Sequence, residues 1–104
     1  MATTPEGAVK RDIKRWLAAR GLWYFMPVSN GMGQMGIPDF ICCWDGHFLA
    51  IEAKAPGKRS TTTVLQKRQL DSIAKANGLA VVVDDVKQLD KLAERLERLK
   101  YGPT

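Results

Sequence analysis

The chain has 104 residues, of which 45% are hydrophobic and 26% charged, which suits one compact domain and excludes wholesale disorder. Sixteen Lys and Arg against eleven Asp and Glu give a net charge of +5, a mild excess that favours polyanionic partners without deciding for them. No apolar run exceeds five residues, whereas a membrane helix needs about 20, so we expect no membrane partner. Two adjacent cysteines and an N-terminus unlike a signal peptide predict a reducing, cytoplasmic location.

A first helix is predicted to begin at Thr3 or Thr4, because Thr3 and Glu6 have the spacing of a capping box, and to end at Arg20-Gly21. Its apolar face consists of residues at helical spacing: Val9, Ile13, Trp16 and Leu17.

Three strands are predicted next. Residues 22–28 are rich in aromatic side chains, and Pro27 indicates an edge strand or a strand end. A glycine-rich loop, 29–36, leads to strands 39–44 and 47–54. The intervening Asp45-Gly46 predicts a tight hairpin turn.

The second half alternates helix, strand and helix. Thr63 is predicted to cap a helix over 64–76, residues 79–83 have the uniformly apolar pattern of a buried strand, and a last helix starts at Asp84 or Asp85. That helix carries an apolar stripe that could pack on a second copy: Val86, Leu89, Leu92, Ala93, Leu96 and Leu99. The order α-β-β-β-α-β-α predicts an α/β sandwich around a mixed sheet.

The hairpin brings charged residues together. With a two-residue turn, Asp39 lies opposite Glu52, and Lys54 projects from the same face of the sheet. Opposed carboxylates repel, so a divalent cation with oxygen ligands, Mg²⁺ or Mn²⁺, is the natural occupant. The alternative is structural, with Asp39 ending a strand after Pro38 and Glu52 with Lys54 forming a solvated pair.

These residues resemble a known nuclease signature. Gly36-Ile37-Pro38-Asp39-Phe40, followed by Glu52-Ala53-Lys54 after the hairpin, is similar to the PD-(D/E)xK motif, and Glu6 and Gln66 make the likeness closest to the VRR-NUC family. The resemblance implies a restriction-endonuclease-like three-layer sandwich, with a mixed sheet flanked by helices, in a single domain over 1–104. It also implies a metal-dependent endonuclease of bacteria or phages that cuts four-way or other branched DNA as a homodimer.

The resemblance also assigns roles. Asp39, Glu52 and the Ala53 carbonyl would bind Mg²⁺ or Mn²⁺, and Lys54 would either polarise the attacking water or act as general base. Glu6 would reach the metal from the first helix, and Gln66 would touch the site. Each of the last two has an alternative role in helix capping, Glu6 with Thr3 and Gln66 with Thr63.

The remaining basic residues are candidates for phosphate contacts or merely solvated charges. The DNA-binding set is Lys10, Lys14, Lys58, Arg59, Lys67 and Arg68. The segment at Gly57 lacks phosphate-loop spacing, so no nucleotide cofactor is expected. Two alternatives to a nuclease stay open, namely a non-catalytic DNA-binding module and a metal-free structural domain.

Overall fold

The computed structural model describes residues 3–28 and 35–101, with side chains up to residue 98. Most of the predicted loop 29–36 therefore lies outside the described residues. The helices and strands follow the predicted order: α1 (Pro5–Ala19), β1 (Trp23–Phe25), β2 (Phe40–Trp44), β3 (His47–Ala53), α2 (Val64–Lys75), β4 (Leu79–Val83) and α3 (Lys87–Tyr101). A short 3-10 turn, Arg59–Thr61, precedes α2. No helix in these ranges is long and apolar enough to cross a membrane.

The four strands form one mixed sheet in the order β1-β2-β3-β4. The pairs β1–β2 and β2–β3 are antiparallel, and α2 connects β3 to its parallel neighbour β4. Trp44 pairs with His47 and Phe40 with Ile51, which confirms the predicted hairpin register. The edge strand β1 is shorter than the predicted 22–28, and Pro27, which has no N–H to donate, lies beyond its end.

Helices cover both faces of the sheet. Apolar side chains of α1 and α3 form the main core with one face of β2, β3 and β4, and the buried cluster includes Ile13, Leu17, Phe40, Leu49, Ile51, Leu89 and Leu96. Helix α2 packs on the opposite face, where Ile73 lies close to Gly78 and β3. The arrangement is the three-layer sandwich that the sequence indicates.

Helix α1 starts where predicted, but its cap differs from the prediction. Thr4, not Thr3, is the N-cap, and its hydroxyl accepts a hydrogen bond of 3.0 Å from the Gly7 N–H. Pro5 then takes the first helical position, where a missing N–H costs nothing. The capping box of Thr3 with Glu6 is therefore wrong, and the Glu6 carboxylate instead pairs with Lys10 one turn along the helix.

The last helix begins later than predicted. Asp85 accepts a hydrogen bond from the Lys87 N–H, and Asp84 accepts one from the Gly57 N–H, so both residues precede α3. The apolar stripe of α3 is buried in the chain's own core, at Leu89, Leu92, Ala93 and Leu96. This burial removes it as a contact for a second copy; the side chain of Leu99 lies outside the described residues.

Candidate active site

Hydrogen bonds between β2 and β3 fix the two opposed carboxylates. The Asp39 N–H donates to Glu52 Oε1 at 3.2 Å, and the Ala53 N–H donates to Asp39 Oδ2 at 2.9 Å. Each acid is thus held by the backbone of the opposite strand, one residue beyond the last regular pair of the hairpin. The side chain of Glu52 is almost wholly buried, while that of Asp39 is partly exposed.

Lys54 and Gln66 complete the buried part of the site. The Lys54 ammonium donates to Gln66 Oε1 at 2.9 Å and lies 3.5 Å from Glu52 Oε2. The Gln66 amide nitrogen donates to Glu52 Oε2 at 2.7 Å. The three side chains form a closed ring of polar contacts whose members come from β3, the residue after it, and the first turn of α2.

Gln66 fills both roles that the sequence left open. Its Oε1 accepts from the Thr63 N–H, while the Thr63 hydroxyl accepts from the Gln66 N–H, which completes a capping box. The same oxygen accepts from Lys54, and the amide nitrogen remains free to donate to Glu52. The N-terminus of α2 is thereby joined to the acid pair by one side chain.

Gly36 allows α2 to come this close. Its φ of +79° is in the left-handed region, and a Cβ placed there would lie 2.6 Å from the Leu65 carbonyl and 2.8 Å from the Gln66 nitrogen. The glycine of the Gly-Ile-Pro-Asp segment therefore serves as a contact surface for the turn that carries Gln66, a role that the motif alone does not reveal.

Burial and like charge both act on Glu52. Desolvation, followed by repulsion from Asp39, raises the pKa of the Glu52 carboxyl to about 7, although Lys54 opposes the shift. A carboxyl with a raised pKa releases its proton when a positive charge binds beside it. The sequence predicts this behaviour for two facing acids, and the structure identifies Glu52 as the acid that carries the shift.

Glu6 reaches the acid pair through a lysine. Lys10 Nζ lies 3.5 Å from Glu6 Oε2 and 3.7 Å from Asp39 Oδ1, so the ammonium bridges the first helix and the hairpin. Lys10 is predicted from the sequence to contact DNA, whereas here it contacts two carboxylates. The four-residue spacing of Glu6 and Lys10 was the available signal for their ion pair.

The donor set suits a hard divalent cation. Two carboxylates face each other, with the β3 backbone at Ala53 beside them, and oxygen ligands with retained waters are what Mg²⁺ and Mn²⁺ prefer. Within 3–28 and 35–98, no three His, Cys, Asp or Glu side chains gather closely enough to hold a metal. A cation bound here would be held by the acid pair, the backbone and water. Glu6 contacts the acid pair only through Lys10 among the described residues.

The predicted DNA contacts fall at different distances from this site. Arg59 and Lys67 line one cavity of about 450 Å³ with Thr62 and Val82, and Val82 is the strand partner of Glu52. Lys14, Lys58 and Arg68 are exposed. The cavity therefore reaches the strand next to Glu52, but neither acid of the pair lines it.

The thiols lie on opposite faces, as the alternation of the strand predicts. Cys42 is in the core, where burial raises the pKa of its thiol to about 12, and Cys43 is exposed. A thiol with that pKa is protonated at neutral pH and acts as a packing group.

Comparison with known proteins identifies the class. A solved structure described as a VRR_NUC domain superposes with a TM-score of 0.73 and 27% sequence identity, over 88% of this chain and 96% of that one. No family model matches the chain, and no curated protein matches it significantly. The chain therefore has a nuclease-type fold of the restriction-endonuclease-like class. Within that class the chain is similar to the VRR_NUC domain, over most of the length of both chains.

Proposed function

We propose that the chain is a Mg²⁺- or Mn²⁺-dependent endonuclease that hydrolyses phosphodiester bonds in branched DNA, with four-way junctions as the leading substrate. The observation that carries the proposal is the pair of backbone-anchored carboxylates, Asp39 and Glu52, with the buried ammonium of Lys54 beside them. A structural ion pair would not need a second acid opposite Glu52. The nuclease fold supports the same reading.

The chain's own residues suit hydrolysis of a phosphodiester. A bound divalent cation would supply an activated water and neutralise a phosphate oxygen. Asp39 and Glu52, with the Ala53 carbonyl, are the residues that would hold it. Lys54 presents a fixed positive charge where negative charge grows in the transition state, and Gln66 fixes the direction of that ammonium. Since Gln66 also holds Glu52, the acid and the lysine keep a constant relative position.

Arg59 and Lys67, which line the same cavity, support contact with the DNA backbone. Cationic side chains at a groove bind phosphates without reading bases, which fits selection of DNA by shape. The exposed Lys14, Lys58 and Arg68 would extend this contact.

An apolar area on the sheet supports the homodimer. We call it the open sheet face, made of Trp23, Phe25, Ile41, Cys43 and Phe48, which share the face of the acid pair beyond the cover of α2. The side chains of Trp23, Phe25 and Phe48 are 60%, 47% and 45% exposed. Contiguous exposed aromatic residues of this kind are typical of protein interfaces.

The test is a cleavage panel on labelled linear, flap and four-way DNA, each with Mn²⁺, Mg²⁺ or EDTA. We expect metal-dependent nicking of the branched substrates by the wild type, and binding without cleavage by Asp39→Ala. Binding without cleavage by the wild type as well would favour a non-catalytic DNA-binding module. No rise in the unfolding midpoint at millimolar Mn²⁺ would favour a metal-free structural domain.

A further inference from the structure

Each acid of the pair has its own ammonium partner. Lys54 Nζ lies 3.5 Å from Glu52 Oε2, and Lys10 Nζ lies 3.7 Å from Asp39 Oδ1. The second oxygen of Asp39 already accepts the Ala53 N–H, so Oδ1 is the one turned toward Lys10. The same ammonium pairs with Glu6, which ties the first helix to the hairpin.

The two lysines differ in how firmly they are held. The Lys54 side chain is 10% exposed and donates a 2.9 Å hydrogen bond to Gln66, whereas the Lys10 side chain is 31% exposed and makes longer ion-pair contacts. A cation bound by Asp39 would lie within a few ångströms of both charges and repel them. Lys10 is the charge with solvent beside it, so it is the one that can move away.

We propose that Lys10 is a positioning residue that holds Glu6 and Asp39 as a resident counter-charge, and that a divalent cation displaces its ammonium from Asp39 on binding. The inference rests on the proposed cation site and assigns a step to a residue outside the acid-and-lysine motif. Its consequence is that the native charge at Lys10 weakens cation affinity, because the ion must compete with an ammonium already in contact with the same carboxylate.

The experiment is calorimetric titration of the full chain with Mn²⁺ in the absence of DNA. Lys10→Met removes the charge and keeps the length of the side chain, and Arg11→Met, from the exposed face of the same helix, is the control for net charge. We expect Lys10→Met to bind Mn²⁺ three- to tenfold more tightly than the wild type, and Arg11→Met to stay within twofold. Lys10→Arg keeps the charge and should bind no more tightly than the wild type.

A second measurement reads the metal-free state. In EDTA the unfolding midpoint of Lys10→Met should lie below that of Arg11→Met, since Asp39 loses its counter-charge, and saturating Mn²⁺ should raise it by more than it raises the wild type. Lys10→Gln serves as a second neutral variant should Lys10→Met fold poorly.

The outcomes separate the two proposals. Wild-type Mn²⁺ binding with equal affinities for the Lys10→Met and Arg11→Met variants, or weaker binding by Lys10→Met, overturns the role of Lys10 and leaves the nuclease proposal standing. Absence of Mn²⁺ binding by the wild type overturns both, because no cation site then exists for Lys10 to control.

Discussion

At the scale of single residues, the behaviour of the site depends on how each acid is surrounded. Glu52 is buried, hydrogen-bonded to Gln66 and opposed by Asp39, whereas Asp39 is partly exposed and bonded to Ala53. The environment raises the pKa of Glu52 to about 7.

This shift predicts a pH-dependent stability without metal. Because the folded pKa of Glu52 lies above the value of 4.5 for the ordinary group, the folded chain retains a proton that the unfolded chain has released. As the pH rises from the ordinary pKa of 4.5 to the folded pKa of about 7, the free energy of unfolding should fall by roughly 3 kcal/mol. Above that pH it should level off. Urea unfolding in EDTA from pH 4.5 to 8 measures this. Glu52→Gln should remove that fall; parallel profiles for the two proteins would show that another group is responsible.

Replacing Lys54 is predicted to lower the cleavage rate without weakening Mn²⁺ binding. Lys54→Met should lower the cleavage rate by about 10²- to 10³-fold, the usual cost of removing one group aimed at transition-state charge. Mn²⁺ affinity should be kept or improved, since a positive charge beside the ligands is removed. Calorimetry together with single-turnover cleavage checks both values. Normal cleavage by this variant would remove Lys54 from the mechanism.

At the scale of secondary-structure elements, the position of α2 decides whether the site is assembled. Its first turn is held by the capping box of Thr63 and Gln66 and rests against Gly36. The first turn of α2 lies so close to Gly36, just before β2, that even a methyl side chain at this position would have no room.

Gly36→Ala should push the first turn of α2 away from the segment that precedes β2. The added Cβ would lie 2.6 Å from the Leu65 carbonyl, and the positive φ would be strained, so the turn carrying Gln66 has to move. We expect cleavage to fall by at least tenfold and stability to fall by about 1–2 kcal/mol. Gly46→Ala at the hairpin turn, which has positive φ but open space, is the control for strain alone. Equal cleavage losses in the two variants would contradict a role for the contact.

The elements also show how much the sequence could reveal. The turn and register of the hairpin were predictable, because Asp45-Gly46 fixes the register and the register sets Asp39 against Glu52, although each strand is one residue shorter than predicted. The dual use of Gln66 could be foreseen only as two alternatives, since capping is local and contact with Glu52 depends on packing. The bridge from Glu6 through Lys10 to Asp39 escaped prediction, because it needs the relative position of α1 and β2.

At the scale of the whole molecule, the two sides of the sheet have different roles. One side buries the apolar stripes of α1 and α3. At the surface, Asp90 of α3 accepts a hydrogen bond from the Trp16 indole and forms an ion pair with Arg20, which joins the two helices. The other side carries the acid pair, α2 and the open sheet face. Burial of the α3 stripe moves the expected dimer contact from that helix to the exposed aromatic residues.

The dimer is testable through the open sheet face. Trp23→Glu should convert a dimer into a monomer at micromolar concentration, since a charge would have to be buried in the interface. Ala18→Glu, an exposed position on α1 across the sheet, should leave the oligomeric state unchanged. Sedimentation velocity measures both variants. A wild type that sediments as a monomer at these concentrations would end the dimer proposal.

Because Gln66 both caps α2 and donates to Glu52, few other side chains can replace it at position 66. Glutamate could still accept from the Thr63 N–H, but it has no proton to give Glu52 and would add a third negative group. Lysine or arginine could donate to Glu52 but cannot accept at the helix start, and asparagine is one methylene shorter. Glutamine carries an accepting oxygen and a donating nitrogen on one terminal carbon without a charge, so helix initiation and site chemistry select the same residue.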